Sequence, residues 1–387
     1  MTSAKLGEIC TIVSGGTPSR SKSEYWINGT IPWIKIGNIK GKYVVNADEN
    51  ITELGLEKSS AKFLKKGTIL YTIFATLGEV GILNIDACTN QAIAGITIKD
   101  TTIIGTDFLY YYLKSKKQYV DRIGRGVAQN NINMSILRNF DVPLLSLEKQ
   151  KDIVSTLDTL QSIITHRRTQ LEKLDLLVKA RFVEMFGEPL LGTQKWEIQC
   201  VGDVADAIDP QPSHRTPPID ENGIPYISIK DCNYKTGTID FDNARKVGKN
   251  VLEEHLNRYE IHDGDFIIGK IGTIGNPIFI PARKDYTLSA NIVLIQPNTK
   301  IVSPYFLKYS FMSDYVERQF SKAKNSTSQA AFGIQKVRSI SIMNPDYDVQ
   351  MEFENFVKQV DKSKVAVQKA LDEAQLLFDS LMQEYFG

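Results

Sequence analysis

The sequence predicts an α+β protein: two pseudo-repeated globular domains joined by a pair of long antiparallel coiled-coil helices. Three observations predict it. Short motifs recur in the same order at an offset of 193 to 200 residues. Two stretches, 147–186 and 347–386, contain none of the 14 prolines and no glycine. The segments between them are rich in short β-branched runs and turn residues, the signature of strands with intervening turns.

The repeat is read pair by pair. Leu6-Gly7-Glu8-Ile9 answers Val201-Gly202-Asp203-Val204, and Ile31-Pro32-Trp33-Ile34 answers Ile224-Pro225-Tyr226-Ile227. Lys66-Gly67-Thr68-Ile69 answers Asp263-Gly264-Asp265-Phe266, and Thr76-Leu77-Gly78 answers Thr273-Ile274-Gly275. Gln129 answers Gln329, Gln150 answers Gln350, and Phe186-Gly187 answers Phe386-Gly387. The drifting offset reflects small insertions.

Four segments follow: globular 1–146, helical 147–187, globular 188–346 and helical 347–387. Prolines upstream (Pro143, Pro345) and glycines downstream (Gly187, Gly387) mark the helix boundaries. A spacing of three and four residues runs from Leu157 to Met185, and again 200 residues on from Val357 to Tyr385. Fifteen of those 18 positions are apolar, against 42% for the chain, which is a heptad seam. Helices of about 40 residues would reach about 60 Å, longer than one globular domain can cover, so the seams are expected to pack on each other. Docking on the globular domains is the alternative. An antiparallel pair brings the end of the first helix near the start of the second, where segment 188–346 must leave and return. Within the globular halves, strands are expected over 31–36, 68–74, 94–98, 224–229, 265–271 and 291–295, and helices from 107–114 and 304–309.

Composition narrows the function. No run approaches the 18 or so apolar residues of a membrane span, and the N-terminus lacks a signal-peptide core. The scattered Cys10, Cys88, Cys200 and Cys232 form no CxxC pair, which suits reduced thiols in the cytoplasm. His166, His214, His255 and His262 have no metal-ligand spacing, so no metal or cofactor is expected. Net charge is +1, but residues 1–146 carry +5 and residues 347–387 carry −4. The acidic C-terminal helix is better suited to protein than to phosphate. Asn344-Pro345-Asp346-Tyr347 lacks the second proline of the adenine-methyltransferase motif N-P-P-Y and has no glycine-rich cofactor loop upstream. The lone pair His262-Asp263 makes no catalytic set.

The run SGGTPSRSKSEYW…GTIPWIKIGNI (14–39) resembles the opening of a target recognition domain in type I restriction–modification specificity subunits. GVAQNNINMSILRNFDVPLLSLEKQKDIV (126–154) resembles that domain's close. The second copy matches more loosely, through Gln211-Pro212-Ser213 and NSTSQAAFGIQKVRSISI (325–342). The resemblance spans the whole chain. It implies a non-catalytic subunit whose two domains each read one half of a bipartite double-stranded DNA target. It also implies that the helices set the gap and carry two methyltransferase subunits, with restriction/translocase subunits added for cleavage. An enzyme with an unrecognised site, or a coiled-coil scaffold with protein-binding ends, remain the other readings.

Candidate DNA contacts follow from residue chemistry. Gly15 and Gly16 let backbone approach phosphate, and Thr17, Ser19 and Arg20 can donate to it; an ordinary turn is the alternative. In the second copy His214 and Arg215 follow Pro212-Ser213. Lys114, Lys116, Lys117, Arg122 and Arg125 form a basic run before the loop bearing Gln129, Asn130 and Asn131, whose amides suit adenine or a helix cap. Arg318, Lys322, Lys324, Ser326, Ser328 and Gln329 stand in the same place in copy two. Trp33 and Tyr226 are expected in the core. Lys35 and Ser228 share that strand face and are weaker readers. Asn38, Lys230 and Asp231 lie at strand ends, and Lys270 sits before Gly272-Thr273 in the second copy only.

Overall fold

The computed structural model describes residues 2–124, 131–192, 195–213, 215–234, 236–270, 275–325 and 333–387. The chain divides into two compact units. One joins Met1–Arg168 to Lys369–Gly387, and the other is Thr169–Gln368.

In the first unit a five-stranded sheet runs in the order Cys10–Ser14, Ile93–Ile98, Ile69–Thr72, Val80–Leu83, Tyr43–Val44. It is antiparallel except at the last pair. Ile69–Thr72 is buried throughout, as a central strand of β-branched and aromatic residues should be. Gly67 enters that strand at φ +89°, a conformation that only glycine adopts freely. A smaller sheet pairs Ile31–Ile34 with Glu49–Ile51 and, in parallel, with Cys88–Thr89. The expected strand 31–36 thus stops at Ile34, and a 3-10 turn occupies Ile36–Asn38.

The second unit repeats this plan. Its main sheet runs Ala205–Ile208, Ile292–Pro297, Phe266–Gly269, Ile278–Phe279, and Ile224–Ile227 pairs in parallel with Thr287–Leu288. Gly264, matched to Gly67, has φ +93°. Matched capping boxes open the two repeats. The Lys5 amide donates to Glu8 Oε2 (3.0 Å), and the Cys200 amide donates to Asp203 Oδ2 (2.9 Å). A Cβ on Gly7 would lie 3.1 Å from Arg138 Cβ, and one on Gly202 would lie 3.1 Å from Arg338 Cβ.

Two helices of 40 residues, Leu147–Phe186 and Tyr347–Phe386, cross from one unit to the other. None of the 18 seam positions is exposed. In the second unit Asp175 pairs with Lys364 (2.6 Å) and Arg181 with Glu352 (2.8 Å), an antiparallel register. In the first unit Arg168 reaches Gln375 (3.3 Å). Both sequence alternatives are realised, because helix ends also dock on globular cores. Phe186 packs on Phe306 (centroids 4.8 Å) in one unit, and Phe386 on Phe108 (5.3 Å) in the other. Gln150 and Gln350 are buried at equivalent joints. Gln150 Oε1 accepts from the Gly105 amide and Gln350 Oε1 from the Ser303 amide, each at 2.9 Å.

Candidate nucleic-acid interface

In the second unit, the loop after Ile208, the end of strand Ile224–Ile227, the segment at Lys270 and the residues at Gly333 converge. They enclose a cleft of about 800 Å³. The sheet register brings these segments together. The Ser289 amide donates to Ile227 O (2.8 Å) and the Lys270 amide to Asn291 O (2.8 Å). Among the described residues, Lys230, Lys270 and Arg245 line the cleft, facing Ser228, Asn291 and one carboxylate, Asp209. Lys270 Nζ binds Asp209 Oδ2 at 2.6 Å. Lys230 is exposed, and Arg245 Nη2 donates to Pro217 O (2.5 Å). Burial pushes the Tyr226 hydroxyl above its usual pKa. Three cations against one carboxylate make a wall that favours electron-rich groups.

Two of the sequence candidates, Lys230 and Lys270, therefore meet in one cleft. Asp231 does not act there as a free reader: its carboxylate accepts from the Ser228 amide (2.8 Å) and hydroxyl (2.7 Å) and caps a 3-10 turn. Arg215 is exposed nearby in sequence, and its carbonyl accepts from Gln211. Lys322 is exposed on helix Asp314–Asn325, as is Arg318, while the side chain of Lys324 lies outside the described portion. His214, Thr273, Ser326, Ser328 and Gln329 lie outside the described residues.

The first unit requires corrections. Gly15 and Gly16 are buried, with their amides engaged by Ile93 O (3.0 Å) and Thr89 O (2.9 Å). A Cβ there would come within 2.2 Å of Asn90 O or 2.3 Å of Ser60 Oγ, so these glycines serve close packing rather than phosphate. Asn38 is buried, and its Oδ1 caps the 3-10 turn from the Lys35 amide (2.8 Å). Thr17 bonds Gln91 and is half-buried. Ser19 is exposed. Arg20 is exposed as well, stacked 3.6 Å over the Trp26 ring and paired with Glu49 (2.5 Å), which Lys35 also holds (2.5 Å). These two cations lower the Glu49 pKa.

Of the basic run, Lys116 Nζ donates to Phe386 O (2.7 Å), so it clamps the second long helix, and burial lowers its pKa. Lys114 bonds Gln161 (3.3 Å) beside the Phe378 ring, again with a pKa lowered by burial. Lys117 is ion-paired with Glu79. Arg122 is exposed. Asn131 forms a bridge with Phe74, and Asn133, which sequence reasoning passed over, caps the following helix. Arg125, Gln129 and Asn130 lie outside the described residues.

Trp33 and Tyr226 are core residues, as expected. Trp33 Nε1 donates to Gly16 O (3.0 Å), and Tyr226 donates to Gln211. The incomplete N-P-P-Y sequence sits at a helix start: the Asn344 amide donates to Glu197 O (2.8 Å) and Tyr347 begins the second long helix. Sequence reasoning missed Asp209 and Arg245. Aligning the repeat strand by strand would have exposed Asp209, which replaces Ser14.

Comparison with known proteins adds a family. Residues 1–174 and 193–374 each match the type I restriction modification DNA specificity domain. The chain is 29% identical over 249 residues to the MjaIX specificity subunit of a type I restriction enzyme of Methanocaldococcus jannaschii, covering 58% of this chain and 56% of that protein. It is 26% identical to the EcoR124I/EcoR124II specificity subunit of Escherichia coli, over 41% of this chain and 40% of that protein. The chain thus spans about half the length of these two relatives. To the M. jannaschii MjaVIII specificity subunit it is 22% identical, over 95% of this chain and 89% of that one. A type I restriction–modification S subunit from M. genitalium has a similar fold, with TM-score 0.58 at 14% identity, over 100% of this chain and 96% of that chain. So does a chain from a structure of type I R-M complex assembly, with TM-score 0.59 at 17% identity, over 100% and 97%.

Proposed function

The chain belongs to the type I restriction modification DNA specificity family, and on that premise we propose that it is the DNA-reading subunit of a type I restriction–modification complex, with no catalytic centre or cofactor of its own. Domains 1–146 and 188–346 each read one half of a bipartite duplex target. Helical segments 147–187 and 347–387 set the gap and dock two methyltransferase subunits, through which restriction/translocase subunits join. Duplex DNA as target places its work in the cytoplasm. Among the described residues no helix is long and apolar enough to cross a membrane.

One observation carries this reading. A single hydrogen-bonded frame is built twice, with the same glutamine joint and the same capping box, while the chemistry at the loop cluster differs between copies. Two readers on one frame suit two different half-sites, since half-site geometry mirrors protein geometry. The docking assignment draws support from matched exposed leucines: Leu176 is 63% exposed and Leu376 is 70%, with Leu177 and Leu377 beside them also exposed. Exposed apolar side chains at equivalent positions of the two helices suit two copies of one partner.

The test is a domain exchange. Residues 188–346 are replaced by the second domain of a relative, in a complex with the methyltransferase subunits of the same host. One half of the methylated motif is expected to change. A change in both halves, or in neither, contradicts independent reading.

A further inference from the structure

The ion pair Lys270–Asp209 lies almost out of water, its side chains 7% and 16% exposed. A buried ion pair rarely stabilises a fold relative to apolar neighbours, because desolvation offsets its attraction. The protein contains its own control. In the second unit Lys270 is fixed by its amide on Asn291 O, and in the first unit Ile73 is fixed the same way on Ala92 O (2.9 Å). Asp209 follows strand Ala205–Ile208, whose Ala207 pairs with Ile295. Ser14 stands two residues after Ile12, which pairs with the equivalent Ile96. The same frame therefore holds with Ser14 and Ile73 where the second unit has Asp209 and Lys270. The fold does not require the charges.

The cleft explains them. Lys270 shares it with Lys230 and Arg245, and among the described residues the buried Nε of Arg245 has no hydrogen-bond partner. An ammonium has three N–H groups, and a carboxylate that holds it orients the remaining ones. The volume of about 800 Å³ is ample for a base edge. Guanine presents two acceptors, N7 and O6, on its major-groove edge, the arrangement that lysine and arginine read best. We propose that Lys270, oriented by Asp209, reads a guanine in the half-site of the second domain. This rests on the DNA-reading function proposed above and names the residue and base that give that half-site its sequence.

The test copies the first unit into the second, as the double variant Asp209→Ser with Lys270→Ile. Removing both charges avoids the stranded carboxylate that Lys270→Ile alone would leave. The full complex with its methyltransferase subunits is compared with the unsubstituted one by methylation sequencing and by duplex binding. The double variant should melt no lower than the original. Its motif should keep the first half and lose the requirement for one guanine in the second, with discrimination at that base falling roughly 10- to 100-fold. An unchanged motif and affinity overturns the proposal, as does a second half-site without guanine. Equal weakening on every sequence overturns it too, since it marks a phosphate contact. A lower melting temperature makes the pair structural and also overturns it. If the unsubstituted complex methylates no two-part motif, the functional reading fails, and this assignment falls with it.

Discussion

Gln350→Leu tests the joint between the second long helix and its globular core. Gln350 is 1% exposed. Its Oε1 accepts from the Ser303 amide (2.9 Å) and its Nε2 donates to Pro345 O (2.8 Å). Leucine nearly fills the same volume, so the effect comes from polar groups rather than a cavity. It strands one buried N–H and one buried C=O, each costing about 1–3 kcal/mol. The sum is about 2–6 kcal/mol, which lowers the melting temperature of a unit this size by roughly 4–24 °C. Exposed Gln359, on the same helix, serves as control, and Gln359→Leu should shift stability by less than about 0.5 kcal/mol. Circular dichroism melts of both variants give the comparison. A Gln350→Leu protein that melts with the original refutes the reasoning, because the two bonds would then contribute nothing.

Three further expectations follow from the geometry. Gly15→Ala places a Cβ 2.2 Å from Asn90 O and should destabilise by about 3 kcal/mol or more, whereas Gly37→Ala meets nothing within 4 Å; equal melts would show that the loop yields freely. His255 is buried with Nδ1 2.5 Å from Thr287 Oγ1, and burial holds its pKa below the ordinary 6.5. The folded state then binds fewer protons than the unfolded one, so stability is lost as pH falls below about 6.5. His255→Gln should flatten the fall in melting temperature between pH 7 and 5, and an unchanged slope assigns it to other groups. Leu176→Asp should remove one methyltransferase subunit from the assembled complex, and adding Leu376→Asp should remove the second. Native mass spectrometry reads this stoichiometry, and an intact complex in the double variant rules out these leucines as the docking face.

The long helices were legible because their signals are local. The absence of proline and glycine, the bounding Pro143 and Gly187, and the three-four spacing all lie within the segment they describe. The repeat makes Gln150 and Gln350 conspicuous from the sequence alone, and Trp33 and Tyr226 lie in the core where a β-branched strand places them. What escaped depends on distant partners. Lys116 looks like a solvated or DNA-facing lysine until Phe386, 270 residues on, supplies the carbonyl it binds. Gly15 and Gly16 look like phosphate-loop glycines until Thr89, Asn90 and Ser60 close over them. Asn38 reads as a strand-end residue, but the strand stops at Ile34 and the asparagine's side-chain oxygen caps the turn instead. The Asp209–Lys270 pair joins residues 61 apart; the repeat offsets set Ser14 and Ile73 against them, but only the sheet register shows that the two side chains meet.

Sequencing of modified adenines in the DNA of the host is the most direct test of two different readers on one helical spacer. The account predicts an asymmetric motif in two parts, separated by a gap of fixed length and unspecified sequence, that disappears when this chain is deleted. A continuous motif, a symmetric one, or a two-part motif that survives the deletion would contradict it.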